Sequence, residues 1–195
     1  DGLKHIGAMH IMNTRKGVFF LADTLFNRHP ATETLVDIAK LTYSSVKFFN
    51  HEPVMAMLSY SNFGSVQSGS PASVHEVVRQ LLDAYPEMCV DGEMQVTFAL
   101  DNKLRDQRYP FTRLKGKTVN TLIFPNLSSA NTAYKMLMEM GVAETIGPIQ
   151  MGLNKPVHIC DVESSVRDIV NITAVAVLDA MVNEQREWNN RAQEI

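Results

Sequence analysis

Short β-rich runs recur along this sequence, each closed by a proline, a glycine or a cluster of small polar residues and followed by a longer stretch of helical spacing. That alternation constrains the fold more than any other feature. Strands and helices repeating in this order bury their apolar faces best as a layered α/β/α domain around a mostly parallel sheet. Ile6–Met12 and Gly17–Asp23 flank the polar Asn13–Gly17 segment and read as a hairpin that adds an antiparallel edge. From Thr32 to about Phe49, Leu35, Ile38, Ala39, Val46 and Phe49 recur near helical spacing, with Thr32 as the N-cap. Val54–Tyr60 reads as a buried strand. Ser73 and Glu76 make a capping-box pattern that opens a helix on Val77, Val78, Leu81 and Leu82. Asp91–Leu100 fits either a strand or a helix, and the helix is preferred. Val119–Phe124 is a further strand. Ser128 or Ser129 is expected to cap the next helix, which ends with Gly141 at C′. Val157–Cys160 reads as a last short strand, and Ser165 to about Asn183 as the last long helix before a polar tail.

That last helix sets a second constraint. Val166, Ile169, Val170, Ile172, Ala174, Val175, Ala176, Val177, Leu178, Ala180 and Met181 cover nearly its whole circumference, which predicts burial on all sides. The preceding sequence supplies too few layers for that, so the helix is expected to pack on another part of a longer polypeptide or on another subunit. The opening DGLKHIG, without an initiator Met, also reads as internal to a longer chain.

Composition removes several function classes. A net charge of −3 with no run of Lys and Arg gives no reason to expect a nucleic-acid or membrane partner. No apolar stretch approaches bilayer length. The six histidines are scattered without paired ligand spacing, so a metal site is not expected. Cys89 and Cys160 read as reduced thiols of a cytoplasmic protein.

The segments able to carry chemistry each have two readings. Ser59–Ser65 (SYSNFGS) follows a strand and precedes a helix, where small and hydroxyl residues let backbone N–H groups face an anion. A surface turn rich in small polar residues explains the same pattern. Asp91, Gly92 and Glu93 are an acid pair in a cleft or only a turn. Phe124–Lys135 sets Asn126, Asn131 and Lys135 around a strand-to-helix crossing, a usual place for ligands, though helix capping explains part of it. Arg105, Arg108, Arg113, Lys115 and Lys117 form a modestly basic neighbourhood that either meets phosphates or is a solvated face. Tyr134 and the eleven methionines read as core. Asp168, three residues after Ser165, fits a capping box.

These segments, together with Ala22–Thr24 (ADT), Tyr109–Lys117 (YPFTRLKGK), Ile146–Val157 (IGPIQMGLNKPV) and Ser165–Asn171 (SVRDIVN), resemble the phosphate acetyl/butyryltransferases over essentially the whole chain. The resemblance is strongest to the transferase-like domain appended to bacterial NADP-dependent malic enzymes. It implies an isocitrate/isopropylmalate dehydrogenase-like second lobe over residues 1–145, with 146–195 returning into a first lobe whose earlier part is not in this sequence. It further implies an acetyl-CoA site drawn from Ser59, Ser61, Asn62, Gly64, Ser65, Asn126, Asn131, Lys135, Asn154, Lys155 and Asp168.

In the transferases an Asp deprotonates the coenzyme A thiol, and a Ser-Arg pair serves the thiol and the developing charge. The Asp corresponds to Asp168. The Ser and Arg correspond to Asp161 and Val162, and the next residue, a Gly, to Glu163. An Arg–phosphate contact is worth about 1.5–3 kcal/mol, or roughly ten- to a hundredfold in rate. The resemblance therefore implies a domain without transacetylase activity that binds acetyl-CoA as an allosteric inhibitor of its own malic-enzyme catalytic domain. NADP and Mg or Mn would belong to that other domain, and the assembly would be a homo-oligomer, a dimer through the second lobe or higher. An active phosphate acyltransferase is the alternative.

Overall fold

The computed structural model describes residues 4–193, with side chains through Glu184; the Asp1–Leu3 part of the DGLKHIG opening and the last two residues of the polar tail lie outside the described residues. The elements in chain order are β1 (Gly7–Thr14), β2 (Gly17–Ala22), α1 (Thr32–Phe48), β3 (Met55–Leu58), α2 (Gly69–Ala84), β4 (Val90–Met94), α3 (Val96–Leu100), α4 (Asn102–Arg108), β5 (Thr121–Ile123), α5 (Leu127–Glu139), β6 (Ala143–Met151) and α6 (Val166–Gln193).

The strands form one six-stranded sheet in the order β4-β3-β5-β2-β1-β6. β2, β5, β3 and β4 run parallel. β1 is antiparallel to both β2 and β6, so β6 runs in the common direction. The expected hairpin forms, but β1 is not an edge. β6 covers it. The side chains sort into two cores. Leu35, Ile38, Val74, Val77, Ile172 and Val175 bring α1, α2 and α6 onto one face. Leu21, Leu122, Ala99, Leu114 and Ala130 bring α3 and α5 onto the other. This is the expected α/β/α layering.

Local departures from the sequence reading have local causes. Ala31, not Thr32, is the N-cap of α1. α2 begins at Gly69, so Ser73 is inside the helix; its Oγ donates back to the Gly69 carbonyl, while Glu76 holds Arg79 at 2.6 Å instead of closing a capping box. Asp91–Leu100 is not one helix: Val90–Met94 pairs with β3 and only Val96–Leu100 is helical. Asn126 caps α5, its Oδ1 accepting from Ser129 N at 3.0 Å. Gly141 is at C′ as expected, with Gly141 N donating to Met138 O and Val142 N to Leu137 O.

The last strand is Ala143–Met151, and Val157–Cys160 is not in a strand. Gly147 and Pro148 obscure the strand in the sequence. They are tolerated because β6 is an edge strand and its pairing with β1 is irregular between Met9 and Ile11. The polar tail continues α6 to Gln193. Within this chain only Ile172 and Val175 of the apolar set on α6 are fully buried, while Ile169, Val170, Val177, Leu178 and Met181 are 48–60% exposed. Burial on all sides is therefore not achieved by residues 4–193.

Candidate functional site

The parallel strands direct the loops after β3, β5 and β2 to one end of the sheet, on adjacent strands rooted about 4.8 Å apart. The Ser59–Ser65 loop is built around Glu93, whose side chain is completely buried. Glu93 Oε1 accepts from Ser61 Oγ (2.9 Å) and Gly64 N (2.9 Å), and Oε2 is 3.2 Å from His75 Nδ1. Phe63 N donates to the Glu93 carbonyl, and Ser59 N to the Met94 carbonyl. Ser65 Oγ is 2.8 Å from Ser61 Oγ and accepts from Asn62 N. Asn62 Oδ1 in turn accepts from Gln95 N. The donors expected to face an incoming anion at Ser61 and Gly64 thus face a carboxylate of the protein itself. Asp91 and Glu93 are neither a turn nor an acid pair. Asp91 binds Thr112 Oγ1 (2.6 Å) and Arg113 N (2.8 Å), while Glu93 holds the Ser59–Ser65 loop.

The loop after β2 is organised the same way. Asp23 is 3% exposed; its Oδ1 accepts from Ala8 N, Leu25 N and Phe26 N, and its Oδ2 from Asn27 N and Asn27 Nδ2. Leu127 N donates to Asn27 O, joining this loop to the start of α5. Asn131, Tyr134 and Lys135 follow on α5. The Tyr134 ring stacks on His10 of β1 with centroids 4.1 Å apart, and His10 Nδ1 is 2.8 Å from Thr24 Oγ1. Gly147 closes the far side: a Cβ there would come within 2.7 Å of His10 Cδ2. Asn131 hydrogen-bonds the Tyr134 hydroxyl, which burial and then the Asp161 carboxylate push above its ordinary pKa. The fold thus assembles Asn131, Tyr134, Lys135, Asp161, His10 and Thr24. Sequence reasoning placed Tyr134 in the core and missed His10; the ADT run at Ala22–Thr24 was the only signal near it.

Burial, and secondarily Lys135, lower the His10 pKa to about 4. The unfolded chain therefore binds the extra proton first, at about pH 6.5, and the native state only near 4. Stability supplied by neutral His10 is complete above about pH 6.5 and is lost as pH falls to about 4, at most about 3 kcal/mol. Urea unfolding followed between pH 7 and 4 should show this fall, and it should shrink in His10→Gln. An equal fall in that variant would exclude His10 as its source.

The segment after β6 separates its expected site residues. Asn154 and Lys155 line a cleft between α1 and α6. Asp168 is in the first turn of α6, where its Oδ2 accepts from Ser165 Oγ (2.7 Å) and Ser165 N (2.9 Å), which hold its pKa below the ordinary carboxylate range. The capping box is real. Arg167 beside it pairs with Glu144 at 2.7 Å, near the amino end of β6, so Asp168 lies at the opposite end of that strand from the Ser59–Ser65 and Asn126 loops. Val162 is fully exposed, and Asp161 Oδ1 accepts from Glu163 N.

The basic neighbourhood is partly structural. Arg105 is fully buried and donates to the Leu114 and Lys117 carbonyls, Arg113 donates to the Pro86 carbonyl, and Lys117 Nζ to Cys89 Sγ. Among the described residues, no group of three His, Cys, Asp or Glu could hold a metal ion, and no helix is long and apolar enough to cross a membrane.

A family model described as phosphate acetyl/butaryl transferase matches residues 1–177. The chain is 39% identical over 181 residues to an NADP-dependent malic enzyme of Salmonella typhimurium, covering 92% of this chain and 24% of that protein. It is 30% identical over 181 residues to a phosphate acetyltransferase of Bacillus subtilis, covering 93% and 56%. In three dimensions it is similar to a phosphotransacetylase from Streptococcus pyogenes, with a TM-score of 0.84, 30% identity, and 94% of this chain against 55% of that one. The EutD phosphotransacetylase from Staphylococcus aureus gives a TM-score of 0.82 at 26% identity, over 93% and 55%. The chain therefore spans about half the length of these transferases and about a quarter of the malic enzyme.

These likenesses correct the expectation of a catalytically silent regulatory domain that binds acetyl-CoA as inhibitor of a malic enzyme. Nine-tenths of the chain follows the fold of proteins named as phosphotransacetylases. The expectation leaned on Asp161 and Val162 replacing Ser and Arg. A ten- to hundredfold loss from one missing contact is small beside the 10⁶-fold or greater acceleration typical of enzymes. NADP and Mg or Mn were assigned to a separate domain, outside the described residues.

Proposed function

Because the chain belongs to the phosphate acetyl/butyryl transferase family, we propose that it forms part of a phosphate acyltransferase, moving an acyl group between an acyl phosphate and coenzyme A. What carries this reading is the agreement of more than nine-tenths of the chain with phosphotransacetylases at TM-scores of 0.82 and 0.84. In that reading residues 1–145 belong to the second lobe, and the chain returns to the first within 146–195, once β6 has completed the sheet at Met151. Fully burying each exposed apolar side chain of α6 is worth about 1.5–3 kcal/mol, which favours a first lobe lying against it. A homo-oligomer through the second lobe belongs to the same reading. The kinship with malic enzymes adds no NADP, metal or oxidoreductase step.

The thiol sulfur attacks the acyl carbonyl carbon, the bond from that carbon to the phosphate oxygen breaks, and phosphate leaves. The thiol proton passes to a carboxylate, for which Asp168 is the candidate. Its capping bonds both fall on Oδ2, so Oδ1 remains for the substrate among the described residues. Asp168 is a weak base for a thiol of pKa about 8.5, so proton transfer must accompany attack instead of preceding it. Asn131 and Lys135 on α5 are the donors proposed for phosphoryl oxygens, helping to offset the Arg that Val162 does not supply. Ser59, Ser61, Asn62, Gly64, Ser65 and Asn126 serve mainly to build the loops at the other end of the sheet from Asp168.

The test is acetyl-CoA formation from acetyl phosphate and coenzyme A by the full-length polypeptide. Asp168→Asn is expected to lower kcat by about 10²–10⁴-fold, the usual contribution of a positioned base. Its amide oxygen can still accept from Ser165 N, so thermal stability should change little. No acetyl-CoA formation by the unaltered protein would overturn the proposal, and an unchanged rate in Asp168→Asn would remove that residue from the chemistry.

A further inference from the structure

His10 is 4% exposed, and most of its ring is enclosed by the protein. The Tyr134 ring stacks on one face with centroids 4.1 Å apart, and Thr24 Oγ1 meets Nδ1 at 2.8 Å. Gly147 closes on Cδ2, where a Cβ would come within 2.7 Å. The edge left over is the one that carries Nε2. Among the described residues no hydrogen bond reaches Nε2. The partnerless nitrogens sealed from solvent there are Gln150 Nε2 and both ring nitrogens of His158, so Nε2 of His10 is open to solvent beside α5.

Thr24 decides what that edge offers. Its hydroxyl has one proton, and Oγ1 gives it to the Ala8 carbonyl at 3.4 Å. Oγ1 then accepts from His10, so the ring proton is on Nδ1 and Nε2 keeps its lone pair. Burial, and secondarily the Lys135 charge, lower the ring pKa to about 4, so it is neutral in the physiological range. Lys135 and Asn131 bring protons to a phosphoryl group, whereas Nε2 repels any oxygen that brings none. The Asp161 carboxylate, whose charge reaches the Tyr134 hydroxyl, adds to that demand.

We propose that His10 makes this subsite select a phosphate that still carries a proton, Nε2 accepting from P–O–H while Lys135 and Asn131 bind the other oxygens. The proposal rests on the acyltransferase reading for the identity of the ligand. When an acyl phosphate hands its acyl group to a thiol, the thiol proton ends on the phosphate oxygen released from the acyl carbon. Nε2 is the acceptor for that O–H, so it marks the reacting side of the phosphoryl group. Sulfate has the same shape but no proton to give at neutral pH. Bound there, it would set two acceptors face to face, and the site excludes it.

Calorimetric titration of the full-length polypeptide with inorganic phosphate, and separately with sulfate, reads this selectivity without turnover. Phosphate is expected to bind at least about tenfold more tightly. His10→Gln can turn its amide NH₂ toward the anion and should bring the two affinities within about twofold. Thr24→Val removes the acceptor for Nδ1–H; the ring proton then moves to Nε2, and the preference should fall likewise. Nitrogen NMR of the unaltered protein should show the Nδ1–H tautomer of His10. Failure to bind phosphate, equal binding of sulfate, a preference that survives in His10→Gln, or an Nε2–H ring in the unaltered protein would overturn the proposal. Acetyl-CoA formation without phosphate selectivity sinks this inference alone. Selectivity without acetyl-CoA formation sinks only the acyltransferase reading.

Discussion

Replacing Glu93 by Ala is expected to lower the free energy of unfolding by about 3–5 kcal/mol and to release the Ser59–Ser65 loop. The side chain is wholly buried and its carboxylate takes Ser61 Oγ and Gly64 N at 2.9 Å each. Without it, those donors and His75 lose their acceptor together. Water reaching the cavity would satisfy them only by opening the loop. Glu93→Gln is the informative partner: it keeps the shape and one oxygen acceptor but gives up the charge, and should cost less, about 1–2 kcal/mol. Urea unfolding gives the energies, and amide hydrogen exchange at Gly64 and Phe63 reports the loop. Slow exchange at Gly64 in the Ala variant would show that the loop holds without its carboxylate.

Gly92→Ala should be as damaging for a different reason. Gly92 has φ of 146°, and a Cβ there would be 2.6 Å from the Met57 carbonyl oxygen and 3.0 Å from Met57 Cβ. The obstacle is the backbone of β3, the strand paired with β4, and it cannot swing aside as a flexible side chain would. The β3–β4 register shifts next to this point, between Met57 and Leu58. A strained backbone region costs about 1–3 kcal/mol and overpacking about as much again, so roughly 2–6 kcal/mol is expected. Asp91 and Glu93 flank this glycine, so the damage should reach both loops they hold. A midpoint of urea unfolding within experimental error of the unaltered protein would show that β3 and β4 can separate freely, contrary to the packing described.

Most of the strand and helix order, β4 and β6 excepted, was legible in the sequence because it rests on short-range patterns. The hairpin, α1, β3, α5 and the Gly141 end all follow from periodicity and punctuation within a few residues. Capping was less legible. Ser73 and Glu76 have the spacing of a capping box, yet α2 starts at Gly69 because Pro71 and Val74 bury in the core and extend the helix backward. β6 was missed because Gly147 and Pro148 interrupt it. What makes it a strand is pairing with Gly7–Thr14, more than a hundred residues away.

The site residues divide along the same line. The ADT, SYSNFGS, DGE and GLNKPV segments and the Ser165–Asp168 box are visible as words, and with them the family and its α/β layering. Their partners are not. Glu93 meets Gly64 across 29 residues, Asp23 meets Ala8 across 15, and His10 meets Tyr134 only once β1 and α5 share a face of the sheet. The sequence by itself determined most of the elements, the layered fold and the transferase family, since periodic burial and local hydrogen bonds are written over neighbouring residues. Tertiary structure alone decided that two acids are loop anchors, that Asp168 caps a helix away from the Ser59–Ser65 loop, and that His10 stacks on Tyr134. Each of these depends on which groups remain to satisfy a buried charge or dipole after distant strands have come together.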